Sequence, residues 1–491
     1  MEGKTKLANN NTNKNKKRAR NQKIKFNQAH CNLFNIIFFE IFLILLLKIS
    51  ICTKEYYIEI KVNKKGNIQI LSDEYIGTLP SRVYINGNSI SMNNKKINVE
   101  SEDNIIRLNW AKTISNYSYM FSNLSTITSI HMNYMFGQNN DMSYMFYNCY
   151  NLEKFTYDIN YDQAHGIINM RSMFYNCTSL ISFDFNNLYM DYYYDYDKYD
   201  DDLEEYEKYY KYISMAYMFY NCRNLKSINV GTKKYKYITD IRRIFYNCFS
   251  LTSLNLQGFE INSDSSIDLS YMLYNCSKLE IFKNFKYDLT IGGIKYMFYN
   301  CNLLKQISLS IFKSSISISM SGLFYNCYNL NKIEGFNKLY ISDTDQMFYN
   351  CTSLTNLYFK PKQIRQDINM IKMFYNCIKL NTIIFEYNYF YPNNLNSIFY
   401  NCISLKSLEL NSFKTNYAKD MSYMFFNCKN LKSSFLKGIS FSNQLLINMK
   451  GMFQNCESLI SLDLFYFYTP NVKIMWDSFK GCNTFFEYIQ F

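Results

Sequence analysis

Residues 141–157 read Asp-Met-Ser-Tyr-Met-Phe-Tyr-Asn-Cys-Tyr-Asn-Leu-Glu-Lys-Phe-Thr-Tyr, and close copies of this stretch recur through the chain. Each copy follows the pattern Met-x-x-Met-Phe-Tyr-Asn-Cys-x-x-Leu-x-x-(Leu/Ile/Phe)-x-(Leu/Phe). The cysteines of these copies stand at positions 149, 177, 222, 248, 276, 301, 327, 351, 377, 402, 428, 456 and 482. From Cys222 to Cys482 the ten intervals average 26 residues, so the repetition of one unit decides the fold.

The first half of each unit predicts a short helix. The apolar residues from Met142 to Cys149 follow the spacing i, i+3, i+4, i+7, which places them on one face of a helix of about two turns. The residue eight before each cysteine is Asp, Asn, Ser or Gly in every unit except the last, which has Ile474. These residue types favour a helix N-cap, because they can serve the free N–H groups of the first turn.

The second half of each unit predicts a short strand. After Cys248 come Leu251, Leu254 and Leu256, and the last two alternate with polar residues at period two. A single unit cannot bury its apolar side, whereas stacked units bury it in continuous ladders. We therefore expect an α/β solenoid, a leucine-rich-repeat-like rod of about fourteen helix–strand units, over residues 114–491.

The residues ahead of the repeats predict a small β-rich N-terminal cap over 53–113. A solenoid needs such a cover, because the core of its first unit would otherwise face water. Turn signals such as Asn86-Gly87-Asn88 separate the candidate strands. Those strands are residues 56–62, 67–71, 82–85, 97–100 and 105–110.

Most of the net charge of +13 lies at the N-terminus. Residues 1–30 hold nine Lys or Arg and one acidic residue, whereas the other 461 residues carry 44 basic and 39 acidic groups. The repeats are therefore nearly neutral, which does not support a basic nucleic-acid-binding surface. One interval between cysteines is 45 residues long because of an acidic, Tyr-rich insertion at 187–212. A solvated loop is the expectation there, with a calcium site or a basic partner as the alternative.

Residues 1–32 are expected to form a basic disordered tail, followed at 33–52 by an apolar segment that is either a signal peptide or a membrane anchor. Both alternatives leave the tail in the cytosol and place the repeats on the lumenal or extracellular side. The expected location is therefore a membrane, the cell surface or the medium. Residues 16–20 also match a nuclear-localisation cluster, so an intracellular scaffold is a third alternative.

The cysteine ladder has two interpretations. A column of stacked cysteines could form disulfides or hold metal, but the spacing matches no metal motif and every cysteine lies on the apolar face. We expect a reduced packing ladder, since free Cys behaves as a small buried hydrophobe. The Asn before each cysteine is expected to bond backbone groups at the end of the helix.

Catalysis finds little support in the residues. The chain has three His, of which His30 lies in the targeting region, and no nucleophile elbow, phosphate loop or zinc-hydrolase motif is present. We expect no catalytic residues, no metal and no cofactor.

The repeat Met-Phe-Tyr-Asn-Cys-x-x-Leu-x-x-Leu resembles that of BspA-like leucine-rich-repeat surface proteins, over about residues 114–491. The resemblance implies a secreted or membrane-displayed protein, and members of the family have been implicated in adhesion. Many members carry an apolar C-terminal anchor, whereas this sequence stops nine residues after Cys482, so we expect a shortened copy.

In a solenoid, the side chains between the buried strand residues project from one continuous face. The expected function is non-enzymatic binding or adhesion through this face, with a protein or glycan on a cell surface as the ligand. The membrane is a further partner if residues 33–52 are not cleaved. The alternative function is a structural or scaffold repeat protein without a specific ligand. The candidate binding residues are Ser253, Asn255, Gln257, Gln306, Ser308, Ser310, Asn356, Tyr358, Lys360, Ser407, Glu409 and Asn411.

Overall fold

The computed structural model of the chain describes residues 56–133, 136–158, 167–186, 213–230, 235–261, 266–283, 285, 289–386, 391–409, 414–432, 443–462 and 468–483. All of them belong to one compact unit, Tyr56–Phe491. The predicted basic tail at 1–32, the apolar segment at 33–52 and the acidic insertion at 187–212 lie outside the described residues.

Strands dominate this unit, and two 3-10 turns, Phe336–Lys338 and Thr415–Tyr417, are its helical elements within the described residues. The strands in chain order are β1 (Tyr56–Val62), β2 (Gly66–Gln69), β3 (Arg82–Ile85), β4 (Asn88–Ile90), β5 (Lys96–Val99), β6 (Asn104–Trp110), β7 (Ile114–Asn116), β8 (Ile127–Asn133), β9 (Phe136–Asp141), β10 (Lys154–Asp158), β11 (Ile167–Asn169), β12 (Ser182–Asp184), β13 (Ile213–Ser214), β14 (Ser227–Asn229), β15 (Tyr235–Asp240), β16 (Ser253–Asn255), β17 (Phe259–Ile261), β18 (Ile267–Asp268), β19 (Ile281–Lys283), β20 (Leu289–Gly293), β21 (Gln306–Ser308), β22 (Phe312–Lys313), β23 (Ile318–Ser319), β24 (Lys332–Glu334), β25 (Tyr340–Asp343), β26 (Asn356–Phe359), β27 (Gln363–Asn369), β28 (Thr382–Phe385), β29 (Pro392–Asn394) and β30 (Ser407–Glu409).

The strands predicted ahead of the repeats are confirmed, within a residue or two at their ends. β1 lies inside a six-stranded sheet with the order β10-β8-β1-β6-β3-β4. It pairs antiparallel with β6, where Ile58 faces Leu108, and antiparallel with β8, where Ile60 faces Ile130. The sheet of the first repeats therefore continues without a break into the N-terminal strands.

From β7 onwards the strands form two parallel series. One series precedes the Met-Phe-Tyr-Asn-Cys stretch of each unit and includes the run β17-β15-β13-β11-β9-β7, in which each strand pairs with that of the next unit. The other follows the cysteine and includes the run β26-β28-β30. Leu357 of β26, for example, lies opposite Ile383 of β28, and both are buried. Side-by-side pairing of equivalent strands makes the unit a β-solenoid.

The predicted α/β class, with its fourteen helix–strand units, is wrong. The stretch after Asp141 forms two successive β-turns, in which Met145 N–H donates to the Met142 carbonyl at 3.3 Å and Cys149 N–H to that of Phe146 at 3.1 Å. Between them, Tyr147 N–H closes an overlapping turn by donating to the Tyr144 carbonyl at 3.1 Å, whereas the N–H groups of Phe146 and Asn148 bond outside the stretch. Phe146 N–H, for example, donates at 2.9 Å to the Met173 carbonyl of the following unit. An α-helix would need each N–H to bond a carbonyl four residues back in its own segment.

The apolar spacing predicted a helix wrongly, because successive β-turns bury residues at the same spacing as a helix does. Met142, Met145, Phe146 and Cys149 are all fully buried, as the helical pattern required. Between them the backbone turns through the left-handed region at Tyr144, with φ of 55°, and at Asn148, with φ of 60°. These φ values interrupt any right-handed helix. The buried face was therefore predicted correctly, whereas the backbone geometry was not.

The residues predicted as helix N-caps cap β-turns instead of helices. Asp141 Oδ1 accepts a hydrogen bond from Ser143 N–H at 2.8 Å, and Asp420 Oδ1 accepts one from Ser422 N–H at 2.8 Å. This contact from residue i to the N–H of i+2 is the Asx-turn, which Asp and Asn favour. The residue types were interpreted correctly as capping groups, but no helix follows them.

The cysteine column is a ladder of buried thiols. All thirteen repeat cysteines are free and buried. The Cys177 thiol donates to the Phe146 carbonyl of the preceding unit at 3.1 Å, and Cys351 does the same to Phe324 at 3.1 Å. Burial raises the pKa of the Cys149 thiol to about 12, so the thiolate is disfavoured. The cysteines therefore pack and hydrogen-bond as thiols, as the reduced-ladder interpretation expected.

An asparagine ladder runs beside the cysteines. Asn326 Nδ2 donates to Asn300 Oδ1 at 2.8 Å, and Asn350 Nδ2 donates to Asn326 Oδ1 at 2.8 Å. The expectation that these amides bond the backbone was wrong, because stacking places equivalent side chains within reach of each other. Each of these residues also has a positive φ, 58° at Asn326, which asparagine tolerates better than other non-glycine residues.

Two substitutions of Asn326 separate the contribution of its amide hydrogen bonds from that of its backbone conformation. Asn326→Ala removes both amide hydrogen bonds and strains the backbone, so we expect a loss of roughly 2–4 kcal/mol of unfolding free energy. Asn326→Gly loses the same bonds but accepts the positive φ, so its loss should be about half as large. Urea unfolding of the full chain measures both. Equal losses for Ala and Gly would mean that the backbone conformation contributes nothing.

Candidate functional site

Groups that could hold a metal ion and regular surfaces are the two kinds of candidate site relevant to the described residues. Within them, no group of three or more His, Cys, Asp or Glu is placed to hold a metal ion. The repeat cysteines are buried, and burial raises the pKa of Cys177 well above its usual value. What the fold presents instead is extended surface, of which two parts are regular: the sheet that follows the cysteines and the column of aromatic rings beside them.

The first surface, here called the sheet face, is the outer side of β12, β14, β16, β19, β21, β24, β26, β28 and β30. Alternation along each strand creates it: Leu254 of β16 is buried, whereas Ser253 and Asn255 on either side are exposed. Parallel pairing then aligns equivalent outward positions of successive units. Asn356 lies beside Thr382, and Tyr358 lies beside Ile384.

Most of the predicted binding residues lie on the sheet face or where its strands end. Ser308 is half-buried. Ser407 and Glu409 belong to β30, where they pair with Thr382 and Ile384, and Asn411 lies outside the described residues. The exposed members of the predicted set are Ser253, Asn255, Gln257, Gln306, Ser310, Asn356, Tyr358 and Lys360.

From β16 onwards, the prediction skipped every second rung of this face. Between the strand that carries Ser253 and the strand that carries Gln306 lies β19, with Ile281 and Lys283 exposed. The omitted residues occupy the same positions, five and seven after a cysteine, so the sequence contained the signal for them. They are Ile281, Lys283, Lys332, Glu334, Thr382 and Ile384.

The sheet face mixes apolar and polar groups. Ile281 is 56% exposed and Tyr358 is 48% exposed, which makes them its most prominent apolar side chains. Lys360 Nζ bonds Glu386 Oε1 at 2.6 Å, so one predicted lysine is already paired with a carboxylate of the next unit. Ser308 and Ser310 share a hydroxyl hydrogen bond of 2.8 Å. Apolar side chains set among polar ones are typical of protein-binding surfaces.

The second surface, the aromatic ladder, is a column of rings two positions before each cysteine. Neighbouring rings stack nearly parallel with centroids 4.4–4.9 Å apart. Tyrosine occupies this position in ten of the thirteen cysteine-bearing units, yet no role was predicted for it. Its members are Tyr147, Tyr175, Tyr220, Tyr246, Tyr274, Tyr299, Tyr325, Tyr349, Tyr375, Tyr400 and Phe426.

Two phenols of this ladder, those of Tyr325 and Tyr375, have a raised pKa. Burial and the neighbouring Tyr349 raise the pKa of Tyr325 to about 12, and burial and Tyr400 do the same for Tyr375. Each stacked pair contributes about 0.5–1.5 kcal/mol beyond the area it buries. Because nearly every unit has the same ring, the ladder stabilises the stacked units. It cannot by itself select one ligand over another.

A second aromatic column carries arginine. Arg243 lies over the rings of Tyr217 and Tyr271, at 5.5 and 4.8 Å from their centroids, and its Nη1 bonds the Tyr217 hydroxyl. The arginine occupies the position that tyrosine fills in the neighbouring units, so its planar group completes the stack.

One carboxylate on the turns, that of Asp345, is partly buried without full hydrogen bonding. Asp345 is about half-buried, and its Oδ1 has no hydrogen-bond partner among the described residues. Burial first, and then the neighbouring Asp343, raise the pKa of Asp345 to about 6. Its ionised form is therefore disfavoured by the fold at neutral pH.

Two families match the chain. Residues 90–197, 267–387, 359–458 and 393–490 match the family described as "Mycoplasma protein of unknown function, DUF285". Residues 205–292 match the "BspA type Leucine rich repeat region (6 copies)". No curated protein sequence matches the chain.

Solved structures show a distant likeness. An internalin from Listeria monocytogenes matches 71% of this chain and 86% of its own length, with 15% identity and a TM-score of 0.24. TLR13 in its complex with ssRNA13 matches 72% of this chain and 57% of its own length, with 15% identity and a TM-score of 0.24. A leucine-rich repeat protein from Eubacterium ventriosum matches 74% of this chain and 92% of its own length, with 10% identity and a TM-score of 0.23.

In the part of the chain that the structure describes, no helix has the length and apolar character needed to cross a membrane.

Replacing Asp345 should stabilise the protein in a pH-dependent way. The folded pKa of about 6 lies above the ordinary 3.8, so the favourable contribution of the protonated form is complete below pH 3.8 and is lost as the pH rises through 6. We expect Asp345→Asn to gain about 1–2 kcal/mol at pH 7.5, after allowance for solvent screening, and almost nothing at pH 4.

The comparison uses urea unfolding at both pH values. Asp367→Asn is the matched control, because Asp367 is exposed and its positive φ suits asparagine. A gain that is the same at pH 4 and pH 7.5 would contradict a titrating cause.

Proposed function

Because the chain belongs to the DUF285 family and is a BspA-like leucine-rich-repeat protein, we propose that it acts by binding another protein through its sheet face, without catalysis. The repeat fold is suited to protein binding.

The observation that carries the proposal is the contrast between the two sides of the same strands. Inward positions repeat as Leu, Ile or Phe, for example Leu254, Ile307 and Leu357. The outward residues beside them vary in size and polarity along the face, from Asn255 to Ser308 to Tyr358, although some residue types recur. A constant core allows the outward residues to vary without loss of fold, which is the property that an extended recognition surface needs.

The stacked backbone makes this surface rigid. Within each group of paired strands, such as β26, β28 and β30, pairing to the neighbouring strand and packing of the inner side fix the backbone of the outward residues before a partner arrives. Binding then loses little conformational entropy, so many weak contacts can add up to useful affinity. Ile281 and Tyr358 are the expected anchors, because a few exposed apolar groups dominate most protein interfaces.

We further place the binding face outside the cell. The basic residues before the apolar segment 33–52 favour a cytosolic N-terminus, and the repeats then emerge on the other side of the membrane or are released. Rigid display of a varied face at a cell surface would serve adhesion. The alternative, a scaffold of the cell coat or lumen, would need no varied face.

Substitution of the two anchors tests the binding proposal. The labelled full-length protein is titrated on cultured cells of several types, and saturable binding is measured by flow cytometry. Ile281→Ser combined with Tyr358→Ala should weaken that binding at least tenfold, since each anchor is expected to contribute more than about 1 kcal/mol.

The control pair is Ile316→Ser with Tyr150→Ala. These residues lie off the sheet face and are 54% and 44% exposed, so the pairs match in chemistry and exposure. Unchanged binding by the control and weakened binding by the anchor pair support the proposal. If no cell type shows saturable binding, the scaffold alternative stands instead.

Topology is tested separately with a tag at the C-terminus of the full chain. On intact cells we expect the tag to be accessible to antibody and lost to added protease, because the basic tail retains only the N-terminus in the cytosol. A cytosolic marker protein serves as the control for leakage. Protection of the tag until the membrane is permeabilised would contradict surface display.

A further inference from the structure

The chain contains six Asn-x-Ser/Thr sequons, the acceptor motif for N-linked glycosylation. One lies in the predicted cytosolic tail, and the asparagines of the other five are among the described residues. These five differ in exposure, backbone conformation and hydrogen bonding, so the fold determines which of them can carry an oligosaccharide. The six asparagines are Asn10, Asn116, Asn123, Asn176, Asn275 and Asn350.

Three of the sequons begin inside the asparagine ladder. Asn176 Nδ2 donates to Asn148 Oδ1 at 2.8 Å, and Asn275 and Asn350 donate in the same way to the asparagine of the preceding unit. All three are half-buried, and their backbones are left-handed, with φ of 61° at Asn176. Because each nitrogen faces the amide of the unit stacked against it, a sugar on it would have to enter between two units. The closed ladder excludes that.

Asn123 is the first member of the same ladder. Its Oδ1 accepts a hydrogen bond from Asn148 Nδ2 at 2.9 Å, and its Nδ2 donates to Glu74 Oε1 at 3.4 Å. The other oxygen of Glu74 accepts from the Ser122 hydroxyl at 2.7 Å, so this carboxylate closes the end of the ladder. A glycan on Asn123 would displace it. Although Asn123 is exposed, its amide nitrogen is therefore already in use.

Asn116 differs from the ladder residues in every one of these respects. It is exposed at the end of β7, the terminal strand of its sheet, and its backbone is not left-handed. Its Oδ1 accepts Ser118 N–H at 3.0 Å, so the sequon itself forms an Asx-turn. This bond uses the oxygen of the amide. Within the part of the chain that the structure describes, the Asn116 nitrogen donates no hydrogen bond, which leaves it available for modification.

We propose that Asn116 carries an N-linked oligosaccharide in the exported protein. The donor is an oligosaccharide linked to a polyprenyl diphosphate. A bond forms between Asn116 Nδ2 and the first sugar carbon, the bond from that carbon to the diphosphate oxygen breaks, and Nδ2 loses one proton. The inference rests on the proposed location of the repeats outside the cell, because transfer takes place on the lumenal side of the exporting membrane. Since β7 is not part of the sheet face, the glycan leaves the proposed binding surface uncovered.

Expression of the full chain in secretory eukaryotic cells tests the inference. The exported protein is treated with peptide N-glycosidase, which removes each N-linked glycan and leaves aspartate at its site. We expect a single shift in gel mobility that the enzyme reverses, and peptide mass spectrometry should find the conversion at Asn116 alone. Asn116→Gln and Ser118→Ala should each abolish the shift. Ser118→Thr keeps the hydroxyl of the sequon and should retain it.

Lys65→Thr is the matched control for export. It creates a sequon at Asn63, on the exposed turn between β1 and β2, so this variant should carry two glycans. A glycan at Asn63 without one at Asn116 would overturn the inference while the exported location stands. If neither asparagine is modified, the exported location fails and the inference fails with it. Glycans on Asn176, Asn275 or Asn350 in exported protein with unchanged thermal unfolding would overturn the argument from the ladder.

Discussion

The structure depends on one backbone constraint: in each double turn, alternate N–H groups bond within the turn and to the next unit. Met145 N–H stays within its own turn, whereas Phe146 N–H reaches the Met173 carbonyl at 2.9 Å. This alternation satisfies the buried amides without a helix, and it does so only if a following unit is present. Each unit is therefore incomplete alone, and every other regular feature of the solenoid follows from the stacking that this bonding imposes.

Stacking places equivalent side chains one above another, so each repeated residue interacts with its own copies. Amides form a chain from Asn300 through Asn326 to Asn350, phenol rings stack 4.4 Å apart from Tyr325 to Tyr349, and each thiol reaches a carbonyl one unit back. Such ladders resemble those that stabilise stacked β-structures generally. A single residue type per column is favoured, because a residue that does not match its neighbours breaks two contacts at once.

The same constraint frees the outward positions. Residues such as Asn255, Lys283 and Tyr358 contact neither the core nor the ladders, so they can vary in type at small cost to stability. The proposed recognition surface and the stability of the fold thus depend on different side chains of the same short strands.

The sequence by itself determined the repeat, its buried residues, the N-terminal strands and the alternation that exposes Ser253 and Asn255. These features follow from apolar periodicity, which records burial regardless of backbone geometry. Tertiary structure alone decided that the stretch from Met142 to Cys149 is a pair of β-turns. Both backbones satisfy the same spacing, and the choice depends on hydrogen bonds to a unit about 26 residues away. It also decided which rungs are neighbours and why Asn326 bonds another amide, since each of these is a contact between units.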